Sequence, residues 1–144
     1  MKVRDVKDKI TREAAVVRED STLRDITRAL LEDPKTQAVY VVNSEGKLVG
    51  IITIHLITQY AYSEHIPPEY LQFRIDTIMG EKATAADIML PPVFVKEDDD
   101  LGAAFAKMFE NQLAELPVVN EELKIVGDLH QLELLKVWLE NQAT

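Results

Sequence analysis

The sequence predicts an α+β fold: a β-α-β-β-α unit written twice, making two small sheets flanked by helices, with an inserted helix between the copies. Three observations lead there. The phrase Lys47-Leu48-Val49-Gly50-Ile51-Ile52-Thr53 has an echo in Lys124-Ile125-Val126-Gly127-Asp128-Leu129-His130, and the glycines at 50 and 127 lie 77 residues apart. Self-similarity at a fixed distance marks a repeat. Each phrase follows an apolar run of strand length, Ala38 to Val42 and Leu116 to Val119, and nearly continuous apolar runs suit strands buried on both faces. Ahead of each run lies a stretch with helical apolar spacing, Leu23, Ile26, Leu30 and Leu31 in one copy and Leu101, Ala104, Phe105, Met108 and Phe109 in the other.

The elements follow in order. Val3-Arg4-Asp5-Val6 opens the first copy as a short helix start. Ala15-Val16-Val17-Arg18 is a β-rich run, and the acidic turn Glu19 to Thr22 follows it. Ser21 or Thr22 can cap the next helix through a side-chain oxygen. That helix runs from Leu23 to about Leu31 and stops at Asp33-Pro34, because proline disfavours helix at the residue before it. Asn43-Ser44-Glu45-Gly46 turns a hairpin between Ala38–Val42 and the return strand Leu48–Ile52. From Thr53 the pattern turns helical, with Leu56, Ile57 and Tyr60 as its core stripe.

The second copy opens at Asp87-Ile88-Met89 and continues with Val93-Phe94-Val95-Lys96. The acidic run Glu97 to Asp100 reads as a helix N-terminus, where negative charge suits the dipole. It lacks the glycine and distal glutamate of a calcium loop. Glu121-Glu122 turns the second hairpin, Lys124 to Leu129 returns, and His130 to Glu140 closes the chain as a helix. The segment 63–84 has no counterpart. Pro67-Pro68 starts a helix there, Tyr70, Leu71, Phe73, Ile75, Ile78 and Met79 supply apolar contact, and Gly80 ends it. The boundaries are therefore 1–62 for the first repeat, 63–84 for the helical connector and 85–144 for the second repeat, together forming one domain.

A chain of 144 residues can bury about 68–70% of its unfolded surface and needs no metal or disulfide staple. No apolar run reaches the ~18 residues of a membrane span. The start is too charged for a secretory signal. With no cysteine, disulfides, thiolate zinc sites and thiol catalysis are excluded, and a cytoplasmic location fits. The net charge of −9 repels nucleic-acid phosphates at long range. No Ser/His/Asp order, glycine-rich phosphate loop or GKS/GKT sequence is present, so the residues point away from an enzyme. His55, His65 and His130 have no HExxH-type spacing, and no metal site is expected.

Asp87-Ile88-Met89, Pro117-Val118-Val119 and Gly50-Ile51-Ile52-Thr53, placed on this duplicated frame, resemble the motifs of the CBS family. The two copies together resemble a stand-alone CBS pair, or Bateman module, over nearly the whole chain. That resemblance implies a non-catalytic regulatory module. Such pairs bind AMP, ADP, ATP or S-adenosylmethionine in the cleft between repeats and need no resident cofactor. They bury a flat apolar helical face against a second pair, so a homodimer is implied, with an unidentified regulated protein as a further partner.

In the family a Gly-apolar-apolar-Thr/Ser-x-x-Asp pattern ends the last strand and opens the last helix. Its carboxylate holds the ribose diol, which two acceptor oxygens suit, and the helix N-terminus faces phosphate. The second copy keeps a carboxylate, Glu133, with His130 in place of Thr/Ser and Asp128 where an apolar residue is the pattern. The resemblance groups Glu133, His130 and Asp128 with Ala15, Val16, Val39 and Tyr40 in one cleft, Tyr40 being placed to stack on a base. The first copy keeps Thr53 but has Leu56 at the carboxylate position. Its weaker cleft combines Thr53 with Pro92, Val93, Leu116 and Pro117. Plainer readings stand beside these: Glu133 and His130 as ordinary residues of a helix start, and Trp138 as packing or dimer contact. The departures at Leu56, Asp128 and His130 keep open a second function, a ligand-free dimerisation or interaction module with degenerate clefts.

Overall fold

The computed structural model describes residues 1–6, 14–34, 36–70 and 83–142. The chain forms two compact units, one of residues Ala15–Pro92 and the other of Met1–Ala14 with Val93–Thr144. Each unit is built on one three-stranded sheet.

In the first unit the strands are β1 (Val16–Arg18), β2 (Ala38–Val42) and β3 (Leu48–Thr53), in that spatial order. β1 runs parallel to β2, and β3 returns antiparallel to it. Between β1 and β2 lies helix α1 (Leu23–Glu32). Thr22 caps it, its hydroxyl accepting the Asp25 N–H while the Asp25 carboxylate accepts the Thr22 N–H, the reciprocal pattern of a capping box. The hairpin turns at Gly46, whose φ of +79° is a conformation glycine enters without steric cost. Asn43 Oδ1 holds the turn by accepting the N–H groups of Glu45 and Lys47.

Helix α2 (Ile54–Ala61) starts directly from β3, with Thr53 as its cap. α1, α2 and the short helix α3 (Ala85–Ile88) contribute Ile26, Leu30, Leu56, Ile57, Tyr60, Ala85 and Ile88 to one core, against Val17, Val39, Val41 and Ile52 of the sheet. Gly50 is where a side chain would not fit: a Cβ there would overlap Met89, lying 2.7 Å from its Cγ and 2.8 Å from its Cβ.

The second unit repeats the plan with β4 (Val95–Lys96), α4 (Leu101–Glu110), β5 (Glu115–Val119), β6 (Ile125–His130) and α5 (Gln131–Asn141). Asp100 caps α4 through its carboxylate. β4 is shorter than the run from Val93 suggests, since only Val95 and Lys96 pair with β5. The α4 stripe also divides. Ala104 and Met108 are buried, whereas Phe105 and Phe109 are 48% and 74% exposed. Consecutive helical residues lie about 100° apart, so the pair 105/109 projects to one side of the core-facing pair.

The opening segments are exchanged relative to chain order. Val3 and Arg4 donate their N–H groups to the carbonyls of Asp99 and Glu97 in the second unit, Arg4 pairs with Asp98, and Val3 and Val6 are fully buried. In the first unit Ala85 and Ala86 donate to Ser21 and Glu19. Each acidic turn thus receives a short helix from the start of the other repeat. Of the connector 63–84, two 3-10 turns are described, Ser63–His65 and Pro68–Tyr70. The rest of the expected inserted helix lies outside the described residues.

Candidate functional site

The second unit concentrates its ionisable groups where β6 passes into α5. His130 keeps extended backbone angles and acts as the cap of α5. Leu132 N–H donates to His130 Nδ1 at 3.0 Å, and His130 N–H donates to Glu133 Oε1 at 3.0 Å. An imidazole here fills the place of the usual Ser or Thr hydroxyl in a capping box. Because Nδ1 accepts, the proton of the neutral ring sits on Nε2. Gln131 N–H donates to the Ala114 carbonyl and ties the helix start to the beginning of β5.

Glu133 has no exposed surface, and Asp128 and His130 are also buried. The β5–β6 register sets Glu115 opposite His130 and Pro117 opposite Asp128. Directly opposed residues share a sheet face, and alternate residues of a strand do too. Glu115, Pro117, Asp128 and His130 therefore occupy one face, with Glu133 at the helix start. Glu115, buried like the others, does not stand out in the sequence, where it precedes the apolar run. Counting back two residues from Pro117 would have placed it on this face.

The same face of the first unit is electrically neutral. Ala38 lies opposite Thr53, and Tyr40 opposite Ile51. Thr53 Oγ1 accepts the Leu56 N–H at 3.0 Å, so Thr53 does locally what His130 does in the second unit. Leu56, at the position of the family carboxylate, is fully buried in the core. Ala15 contributes its carbonyl, which accepts the Tyr40 N–H at 2.9 Å. Val16 pairs with Tyr40 in the β1–β2 register and is 45% exposed. It borders an open groove of ≈ 640 Å³ along α1, lined also by Arg18, Arg28, Asp25 and Glu32.

Val39 and Tyr40, grouped together from the sequence, separate here. Adjacent residues on a strand face opposite ways, and Val39 packs into the helix-covered core. Their side chains cannot line one cleft together. Tyr40 has no exposed surface, so its ring is not presented to a base in this conformation. Leu116 and Pro117 separate for the same reason, with Leu116 fully buried opposite Leu129. Pro92 and Val93 are partly buried at the end of one unit and the start of the other.

Among the described residues no group of three or more His, Cys, Asp or Glu side chains is arranged to hold a metal ion. No helix among them is long and apolar enough to cross a membrane.

Comparison with known proteins gives these features a family. The uncharacterised protein MJ1225 of Methanocaldococcus jannaschii is 30% identical over 135 residues, a match covering 91% of this chain and 46% of that protein. The chain spans less than half the length of four of the curated relatives it matches. A CBS domain-containing protein of Thermotoga maritima superposes with a TM-score of 0.86 at 35% identity, covering 100% of this chain and 98% of its own. The CBS domain pair of MJ0100, solved with 5′-methylthioadenosine and S-adenosyl-L-methionine, superposes at 0.73 with 18% identity and 98% coverage of both chains. A CBS domain protein of Pyrobaculum aerophilum complexed with AMP does so at 0.74, with 17% identity and full coverage of both. The CBS domain profile itself matches residues 3–62 and 85–140, and the chain belongs to the CBS domain family, with the tandem fold of a CBS pair.

Proposed function

We propose that the chain is a non-catalytic sensor that binds an adenosine-containing ligand and signals by a conformational shift. The observation that carries this reading is the β6–α5 junction, where His130 and Glu133 bond at a helix start and the buried Asp128 lies on the same sheet face as His130. The relatives solved with AMP and with S-adenosylmethionine support the ligand class. Glu133 is proposed to supply the carboxylate for the ribose diol, with His130 beside it at the helix start. Ala15, Val16 and Tyr40 are proposed as the adenine side of the same site, and Thr53, Pro92, Val93 and Pro117 as a weaker second one. Glu133 has no exposed surface, so a ligand reaches it only after its cover has moved. Binding then selects the opened arrangement, which is how a module without chemistry transmits a signal. The proposed setting is cytoplasmic, with a second copy and a regulated protein as partners.

A specific residue favours the second reading, a ligand-free interaction module. Leu56 is a core residue at the first carboxylate position, so one of the two junctions has no group for a ribose. The two readings part in a thermal-shift assay with AMP, ADP, ATP and S-adenosylmethionine. A ligand at 100 times its Kd adds about 2.7 kcal/mol to stability, or roughly 8 °C in a chain of this size. A saturable rise of that order with any one of them supports the sensor. Unchanged melting with all four leaves the interaction module.

A further inference from the structure

The outer edges of the two sheets are finished differently. In the second unit α4 reaches over the edge beside β4. Lys107 Nζ donates to the Phe94 carbonyl at 2.8 Å, and the ammonium lies 5.6 Å from the centroid of the Phe94 ring, within the range of a cation–π contact. Over this stretch the repeats align at an offset of 78, set by the helix starts (101 − 23). Phe94 then corresponds to Val16, and Lys107 to Ala29. Alanine has no donor and valine has no ring. Where Lys107 closes the edge in the second unit, the first has an open groove of ≈ 640 Å³ with Val16 and Ala29 in its wall.

What the groove presents follows from the strand. The Ala15 carbonyl accepts the Tyr40 N–H of β2, and the Glu19 N–H donates to the Val42 carbonyl. Backbone groups alternate along a strand, so those of Val16 and Arg18 point away from β2, into the edge. Arg18 is already engaged: its N–H donates to Ser21 Oγ and its carbonyl accepts the Ser21 N–H, both at 3.0 Å. Val16 is then a single residue of edge among the described residues, too little for an added peptide strand. Its side chain lies on the sheet face it shares with Tyr40, whereas its carbonyl lies in the plane of the sheet. The carbonyl is therefore a feature apart from the adenine side proposed above. The same groove carries two cations, Arg18 and Arg28, and two anions, Asp25 and Glu32.

We propose that this groove binds a free α-amino acid with an apolar side chain. Its ammonium takes the place that the Lys107 ammonium holds in the second unit and donates to the Val16 carbonyl, with Asp25 and Glu32 in the same groove to balance its charge. Its carboxylate meets the Arg28 guanidinium, whose fork matches two carboxylate oxygens. Its side chain covers Val16 and Ala29, where the second unit has the Phe94 ring and the lysine stem. The mixed charge of the wall selects a zwitterion. A bare amine leaves two guanidinium groups facing it, and a bare acid brings no donor for the carbonyl. The volume lies within the about 300–1,000 Å³ of small-molecule sites.

The test is a ¹H–¹⁵N correlation titration of the whole chain with L-leucine and with L-phenylalanine, each to about 10 mM, tenfold above a millimolar Kd. The expected result is a saturable shift of the Val16, Val17 and Ala29 amide signals with at least one of them. n-Butylamine, which lacks the carboxylate, and N-acetyl-L-leucine, which lacks the ammonium, should bind about tenfold more weakly or worse. Ala29→Lys writes the second repeat's closure into the first, and Arg28→Gln removes the carboxylate's partner; each should weaken binding about tenfold or more. If Ala29→Lys does not fold, Arg28→Gln, at an exposed position, decides. No saturable shift with either amino acid overturns the proposal. So do shifts that leave residues 16, 17 and 29 unmoved, equal binding of n-butylamine or N-acetyl-L-leucine, or binding that both substitutions leave unchanged. Ala29 and Arg28 are no part of the β6–α5 junction, so this result is read independently of AMP or S-adenosylmethionine binding there.

Discussion

Glu133 has two possible jobs, and they can be separated by removing them one at a time. In the structure its Oε1 accepts the buried N–H of His130, so it stabilises the start of α5 whether or not a ligand is present. Glu133→Ala removes that acceptor. A hydrogen bond to a charged group contributes about 1.5–3 kcal/mol, a lost cap costs about 0.5–2 kcal/mol, and these describe the same contact and do not add. The truncation also empties a site with no exposed surface, which pushes the cost toward the upper end. About 3 kcal/mol is expected, or roughly 9 °C in melting temperature for a chain of this length. Glu133→Gln keeps an acceptor oxygen in the same place and should lose about 1 kcal/mol or less. Urea unfolding followed by circular dichroism gives both values, provided the slope with denaturant is unchanged. An Ala variant melting within about 2 °C of wild type would show that the cap does not hold α5. Equal losses for Ala and Gln would show that charge, not acceptor geometry, is what matters there.

Three further outcomes follow from local geometry. Gly50→Ala places a Cβ against Met89, and overpacking of this kind should destabilise by about 1–3 kcal/mol in the same unfolding assay; a neutral effect would mean that Met89 swings clear. Leu123 holds φ +63° in the second hairpin, where the first has Gly46. A side chain in that region costs about 1–2 kcal/mol against about 0.5–1 kcal/mol for glycine's extra unfolded freedom, so Leu123→Gly should stabilise by several tenths of a kcal/mol or more, while Gly46→Ala should destabilise. The hydrogen bond from the Thr22 N–H holds the Asp25 carboxyl below its ordinary range. Its folded value being the lower one, the contribution is present above the unfolded value and is lost as pH falls through the folded one. Melting temperatures of wild type and Asp25→Asn should therefore differ near neutral pH and converge in acid, once the pH has fallen below the ordinary carboxylate range and through the lowered folded value; a gap that persists in strong acid contradicts the assignment.

Much of the fold was legible because each element announces itself twice. The Ala38–Val42 and Leu116–Val119 runs, the turn residues after them and the caps at Thr22, Thr53 and Asp100 all have local causes, and local causes are visible in sequence. What depends on partners was not. Nothing in residues 1–6 says that they dock on the acidic turn of the second repeat, because chain order does not state which sheet a short helix will find. Phe105 and Phe109 match the helical period as well as Ala104 and Met108 do, and only the sheet beneath α4 decides which pair is covered. The candidate site was legible as a list but not as a geometry. His130 and Glu133 bond at the helix start and Asp128 shares the sheet face of His130, whereas Val39 and Leu116 belong to faces that the strand period turns away from Tyr40 and Pro117. Glu115 was overlooked because a charged residue at the edge of an apolar run reads as a loop until the register sets it opposite His130.

The sensor reading turns on the charge of Glu133, and isothermal titration calorimetry of wild type and Glu133→Gln tests it most directly, because the Gln variant keeps the helix cap. With S-adenosylmethionine and AMP as probes, the expected result is saturable wild-type binding of at least one, weakened tenfold or more by the substitution, about 1.4 kcal/mol. Three carboxylates at this junction, Glu115, Asp128 and Glu133, should also favour the cationic sulfonium over the phosphate. Binding that is unchanged in Glu133→Gln would contradict the assignment of the carboxylate to the ribose, and no heat with either probe would contradict the sensor itself.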